Sequence, residues 1–137
     1  MSDVEIIETC ELAITHLTEV GWTRKKYVSC DRFSNGMKVR DFSACAVGAL
    51  VIVRLSERHG FSIEWPEEIK ACPAITAVAT VIIERHPALA PKKWEACPDQ
   101  AIVRFNDGVA KDVNDVIEIL QETIKRHQDA ISEDEDL

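Results

Sequence analysis

Residues 43–53 read Ser-Ala-Cys-Ala-Val-Gly-Ala-Leu-Val-Ile-Val, and no side chain after Ser43 in this stretch is polar. Periodicity alone does not separate a buried strand from a buried helix. The run continues through residues 54–59, which makes it too long for a typical strand, so we predict a central buried helix. Ser43 has a hydroxyl suited to an N-cap. Gly60 stands where a left-handed C-terminal cap is expected.

The small residues Cys45, Gly48 and Ala49 share one face of this predicted helix. A glycine inside a helix costs about 1 kcal/mol relative to alanine, so we expect another backbone to approach Gly48 closely. Cys45 has two interpretations, a thiol nucleophile or a packing residue. Packing is favoured, because free cysteine is commonly buried and burial without a nearby cation raises the thiol pKa.

The chain has 137 residues, of which 46% are hydrophobic, and this predicts one globular domain over residues 1–131 with an acidic flexible tail over residues 132–137. The longest apolar run is too short to span a membrane, and the first helix lacks the features of a signal peptide. A cytoplasmic protein is therefore expected. The five cysteines have no metal-ligand spacing, so we predict free thiols, no metal and no cofactor.

Hydrophobic periodicity predicts a mainly α fold, a compact bundle of about five helices. The predicted helices cover residues 3–20, 43–59, 66–85 with a break at Pro73, 98–105, and 112–131. A capping box at Ser2 and Glu5 opens the first of them, and Gly21 closes it. On the last, we expect residues 113, 117, 120, 124, 127 and 131 to form the buried stripe, with His127 as a hydrogen-bonded residue at its edge.

Residues 24–40 carry six basic residues and one acidic residue, a charge of +5 in a chain whose net charge is −8. Asn35-Gly36 predicts a small β-hairpin that would place Asp31 opposite Arg40, and a basic loop is the alternative. Interleaved basic and aromatic side chains can contact a nucleic-acid backbone or an acidic protein surface. The candidate binding residues are Arg24, Lys25, Lys26, Tyr27, Arg32, Lys38 and Arg40.

Asn106 and Asp107 precede the last predicted helix. An acid at this position could act as a general base or a metal ligand, which makes Asp107 a second candidate catalytic residue beside Cys45. Asn-Asp-Gly more often forms a turn in which the side chains bond their own backbone, and we predict that turn here. The four histidines are isolated in the sequence, and no phosphate-binding or hydrolase motif is present.

Three motifs together resemble a family of small actinobacterial and actinophage proteins classed as a domain of unknown function. They are Gly21-Trp22 after the first helix, the run Cys45-Ala-Val-Gly-Ala-Leu50, and Phe105-Asn-Asp107 followed by the capped last helix. The chain has Phe105 where the family usually has Trp, and Asp112 where a Thr cap is usual. The resemblance implies a shared fold and a phage or actinobacterial origin, and it implies no activity.

These features predict a small non-enzymatic protein-interaction module, phage-encoded and acting on a host protein in the host cytoplasm. One alternative is a thiol-dependent enzyme that uses Cys45 with Asp107. Another is a nucleic-acid accessory factor that uses the basic segment, or a nucleic-acid mimic that uses the acidic surface. A protein partner is expected, no membrane is expected, and homo-oligomerisation stays open.

Overall fold

A computed structural model describes residues 2–29, 38–55 and 63–135. These residues form six α-helices: α1 (Asp3–Glu19), α2 (Ala46–Ile52), α3 (Trp65–Lys70), α4 (Pro73–Arg85), α5 (Asp99–Arg104) and α6 (Val113–Glu135). A π-helical turn, Phe105–Val109, continues α5. The mainly α prediction is confirmed. Among the described helices, none combines the length and apolar composition needed to cross a bilayer.

Two isolated bridges join described residues to one another, and in these Trp22 and Val28 both pair with Ala44. The Asn35-Gly36 turn of the predicted hairpin lies outside the described residues, as do Asp31 and Arg32. His59 and Gly60 lie outside them as well.

α2 is the centre of the molecule, and all seven of its residues are buried. It packs against α1, α3, α4 and α5. Burying Leu50 and Ile52 contributes roughly 1.5–3 kcal/mol for each side chain. The helix is shorter than predicted, because the chain turns at residues 53–55 instead of continuing to residue 59.

The N-cap of α2 is Cys45, so the prediction of Ser43 is wrong. The backbone N–H of Gly48 donates to Cys45 Sγ at 3.3 Å. At the other end, Arg40 donates to the carbonyl oxygens of Ile52 and Val53 at 3.3 and 2.8 Å. A helix buried on all sides cannot satisfy its terminal N–H and C=O groups with water, so side chains from other segments do this.

α1 and α6 pack side by side and antiparallel. At one end His127 Nδ1 lies 2.5 Å from Asp3 Oδ1, which confirms the hydrogen-bonded edge position predicted for His127. The most buried α6 residues are Val116, Ile119, Leu120 and Thr123, whereas the predicted stripe is mostly half-buried. The buried face is shifted because α6 packs against α4 as well as α1.

The predicted ends of the other helices are close to the observed ones. Ser2 caps α1 by accepting from the Glu5 N–H at 3.1 Å, and Gly21 follows the helix with φ 138°. Pro73 is the first residue of α4, where its missing N–H has no consequence. α6 continues to Glu135, past the predicted end at residue 131, since glutamate is a good helix former.

The close backbone approach predicted at Gly48 is confirmed, although the neighbour is a loop and not a helix. A Cβ added at Gly48 would lie 1.9 Å from the carbonyl oxygen of Tyr27 and 2.7 Å from its carbonyl carbon. The same Tyr27 oxygen accepts a hydrogen bond from the Cys45 N–H at 3.1 Å. The loop of residues 22–28 therefore packs directly against the first turn of α2.

We expect Gly48→Ala to lower the free energy of unfolding by about 3 kcal/mol, the upper end of the usual range for overpacking. The atoms in the way belong to main chain, which cannot rotate aside as a side chain can. Gly108→Ala is the matched control, because nothing lies within 4 Å of a Cβ added at Gly108. Chemical denaturation of both variants checks the expectation, and equal stabilities would contradict it.

Candidate functional site

A pocket of about 280 Å³ opens where residues 25–27 meet the outer face of α5 and the π-helical turn. We call it the Cys45 pocket. Its lining residues are Lys25, Lys26, Tyr27, Cys45, Gln100, Val103 and Asp107. Pockets for small-molecule ligands are usually about 300–1,000 Å³, so this one lies just below that range and has room for one or two side chains.

The pocket brings together both candidate catalytic residues and three candidate binding residues, Lys25, Lys26 and Tyr27. Lys25 and Lys26 are exposed and Asp107 is half-buried. Sequence reasoning missed Gln100 and Val103, which form the α5 wall. The spacing of residues 100, 103 and 107 places them on one helical face, and this was the available signal.

Cys45 lies in this pocket as a buried, neutral thiol. Its side chain is 3% exposed. Burial raises the pKa of the thiol to about 11, and the nearby negative charge of Asp107 also raises it, whereas the Gly48 N–H acts in the opposite direction. No histidine is among the residues that line the pocket. The arrangement lacks the cation or base that activates a catalytic cysteine.

The Asp107 carboxylate accepts hydrogen bonds that hold the neighbouring loop. Its Oδ1 accepts from the Lys25 backbone N–H at 2.9 Å and from Asn106 Nδ2 at 3.0 Å. Lys25 has φ 66°, a left-handed conformation uncommon for a side chain with a Cβ. The Asp107 carboxylate therefore stabilises the loop conformation that places Lys25 and Lys26 at the pocket rim.

The turn predicted at Asn106-Asp107-Gly108 is wrong, because these residues lie in a π-helical turn. Asn106 is fully buried and bonds residues distant in sequence. Its Oδ1 accepts from Trp22 Nε1 at 2.7 Å and from the Ala46 N–H at 3.0 Å, and its Nδ2 donates to Thr23 O at 3.2 Å. Asn106 follows Ile102 by four residues, so its place on the apolar face was visible in the sequence.

The two arginines of the basic segment that the structure describes stabilise the fold. Arg24 donates to the carbonyl oxygens of Ala110 and Lys111, and its guanidinium carbon lies 4.8 Å from the centre of the Trp22 ring. Arg40 caps the C-terminal end of α2, as described above. Lys38 is half-buried and does not line the Cys45 pocket.

The cysteines and histidines that the structure describes have separate structural positions. Cys10, Cys45, Cys72 and Cys97 are free thiols, and Cys30 lies outside the described residues. His16 is buried in α1, and its Nε2 lies 2.9 Å from Phe42 O. Within residues 2–29, 38–55 and 63–135, no three acidic, histidine or cysteine side chains are placed to hold a metal ion.

We expect Asn106→Ala to lower the free energy of unfolding by about 2–5 kcal/mol. The substitution removes the acceptor of the Trp22 and Ala46 N–H groups, and each unsatisfied buried donor costs about 1–3 kcal/mol. Asn114→Ala, at an exposed position in the first turn of α6, is the control. If both variants unfold at the same denaturant concentration, the Asn106 contacts do not stabilise the fold.

We expect Cys45 to react with iodoacetamide only after unfolding. With a pKa of about 11, roughly one thiol in ten thousand is ionised at neutral pH. Of the four described cysteines, the half-buried Cys97 should react first in the folded protein. Mass spectrometry of peptides after a short labelling pulse checks this order, and native labelling of Cys45 ahead of Cys97 would instead favour the thiol-enzyme hypothesis.

No curated protein and no solved structure shows a significant match to this chain. One protein-family model matches residues 1–126, nearly all of the described bundle. The chain therefore belongs to the family of unknown function DUF6197.

Proposed function

We propose that this protein is a small non-enzymatic interaction module that binds an acidic segment of a partner protein at the Cys45 pocket. The observation that carries the proposal is the position of two exposed lysines, Lys25 and Lys26, on the rim of a small pocket. A glutamate or aspartate entering the pocket would meet two ammonium groups and the amide of Gln100. Charge-assisted contacts of this kind give orientation and specificity.

The state of Cys45 supports binding over thiol catalysis. A neutral thiol that caps a buried helix is a poor nucleophile, and Asp107 already accepts two hydrogen bonds. These two residues therefore offer no activated nucleophile, and the negative charge of Asp107 is outweighed by the two positive charges of Lys25 and Lys26.

Among the described residues, the exposed positive charge at the pocket is confined to Lys25 and Lys26, and this favours a protein partner over a nucleic acid. Arg24 and Arg40 donate hydrogen bonds to main-chain carbonyl oxygens of the protein itself, so both guanidinium groups are engaged within the fold. The chain as a whole carries −8, so a polyanion would be repelled from most of the surface. A single acidic segment avoids most of this repulsion.

The motif resemblance to actinobacterial and actinophage proteins supports a further part of the proposal. A phage-encoded copy would act on a host protein in the host cytoplasm. The described cysteines Cys10, Cys45, Cys72 and Cys97 are free thiols, the form that a reducing compartment maintains.

The test is a selection from a display library of random short peptides against the wild-type protein. We expect the selected peptides to share an acidic residue. Lys25→Glu should then weaken binding of a selected peptide by about tenfold or more, equivalent to about 1.4 kcal/mol. Fluorescence anisotropy at low and high salt measures the affinity, and binding should weaken as salt screens the contact.

Lys125→Glu is the matched control, since it makes the same charge change at an exposed position of α6 away from the pocket. Lys25→Gln gives a milder change of charge, and thermal melting of each variant shows that the fold is retained. Failure of the library to yield acidic peptides would contradict the proposal. So would equal losses of affinity in Lys25→Glu and Lys125→Glu.

A further inference from the structure

A second pocket, of about 390 Å³, lies on the other side of Tyr27. We call it the Ile69 pocket. It is formed by α3, the first half of α4 and residues 95–99. Much of its lining is apolar, from Pro66, Ile69, Ala96 and Pro98, while Lys70, Glu95 and Asp99 add charge.

The two pockets share a wall. Tyr27 lines both of them, and the ring of Tyr27 stacks on Trp65 of α3 with centroids 4.7 Å apart and planes inclined by 29°. Burial raises the pKa of the Tyr27 hydroxyl, and the negative charge of Asp99 adds to this effect.

The main chain of Tyr27, whose side chain forms this wall, is held in place by α2. Tyr27 O accepts from the Cys45 N–H at 3.1 Å and lies against Gly48 without room for a Cβ. The wall between the pockets is therefore held at its main chain and by the Trp65 stack.

α5 forms a continuous side of both pockets. Its adjacent residues Asp99 and Gln100 line the Ile69 pocket and the Cys45 pocket, respectively. A chain lying along this side would pass over Tyr27 and reach both. Alternate side chains of an extended segment point to the same face, which allows one segment to fill two neighbouring pockets.

We infer that the two pockets are halves of one groove that binds an extended peptide segment carrying an acidic side chain and an apolar side chain. This inference rests on the proposed function and names the partner's chemistry. The acidic side chain lies at Lys25 and Lys26, and the apolar side chain enters the Ile69 pocket. The Cys45 pocket is lined by two lysines and one aspartate, whereas the Ile69 pocket is lined by one lysine and two acids, Glu95 and Asp99. This balance of charge favours an acidic side chain at the Cys45 end and so sets the direction of the segment.

The probes are synthetic, fluorescein-labelled peptides with one Glu and one Leu at increasing separation in a Ser/Gly background, each paired with a peptide in which Ser replaces Leu. We expect one separation to bind best, and its affinity to exceed that of the Ser-replaced peptide by about tenfold. Tryptophan emission should change with the Glu/Leu peptide, and this change should be lost in Trp65→Phe, which keeps an aromatic ring on Tyr27.

Ala96→Glu adds a charged side chain at an exposed position that lines the Ile69 pocket. It should remove the tenfold advantage of the Leu peptide and leave binding of the Ser-replaced peptide unchanged. Ala88→Glu is the matched control, because Ala88 is exposed in a similar 3-10 turn and lines neither pocket.

The outcomes separate the two proposals. If Lys25→Glu weakens every peptide but Ala96→Glu changes none, the Cys45 pocket binds alone and the groove inference is overturned. If neither variant changes affinity, the proposed function is overturned with it. Equal binding of the Leu and Ser peptides at every separation also overturns the groove inference.

Discussion

The structure depends on hydrogen bonds to the terminal N–H and C=O groups of α2, a helix that is buried from water. α2 is buried along its whole length, so its first N–H groups and last C=O groups need partners from the protein. Asn106 accepts from the Ala46 N–H, Cys45 Sγ accepts from the Gly48 N–H, and Arg40 donates to the last carbonyl groups. An unpaired buried backbone group costs about as much as a lost hydrogen bond, so the contacts of Asn106 and Arg40 fix two other segments against α2.

Asn106 connects the start of α2 to the loop that forms the rim of the candidate site. Its amide bonds Trp22, Thr23 and Ala46 while its neighbour Asp107 holds the left-handed Lys25. π-Helical turns occur frequently at functional sites, and here the turn directs one residue into the core and the next toward the pocket. The same few hydrogen bonds thus stabilise the bundle and position the pocket rim.

The basic segment consequently has two roles. Arg24 and Arg40 bind main-chain oxygens, whereas Lys25 and Lys26 remain exposed beside a pocket. A guanidinium can donate to two carbonyl oxygens at once, which suits it to closing helix ends and loops. Lysine presents a mobile point charge on a long stem, which suits it to contacting an acidic side chain of a partner.

The sequence by itself determined the helical class, the burial of residues 44–52, the capping of α1 by Ser2 and the close approach at Gly48. These features are local or depend on side-chain size, so composition and periodicity reveal them. Tertiary structure decided the length of α2, its cap at Cys45, the buried face of α6 and the role of Asn106. Those outcomes depend on which distant groups can satisfy a buried N–H or C=O, and the sequence does not order such groups in space. The pocket has the same origin, because residues 25–27 and α5 are brought together only when Tyr27 packs on Gly48.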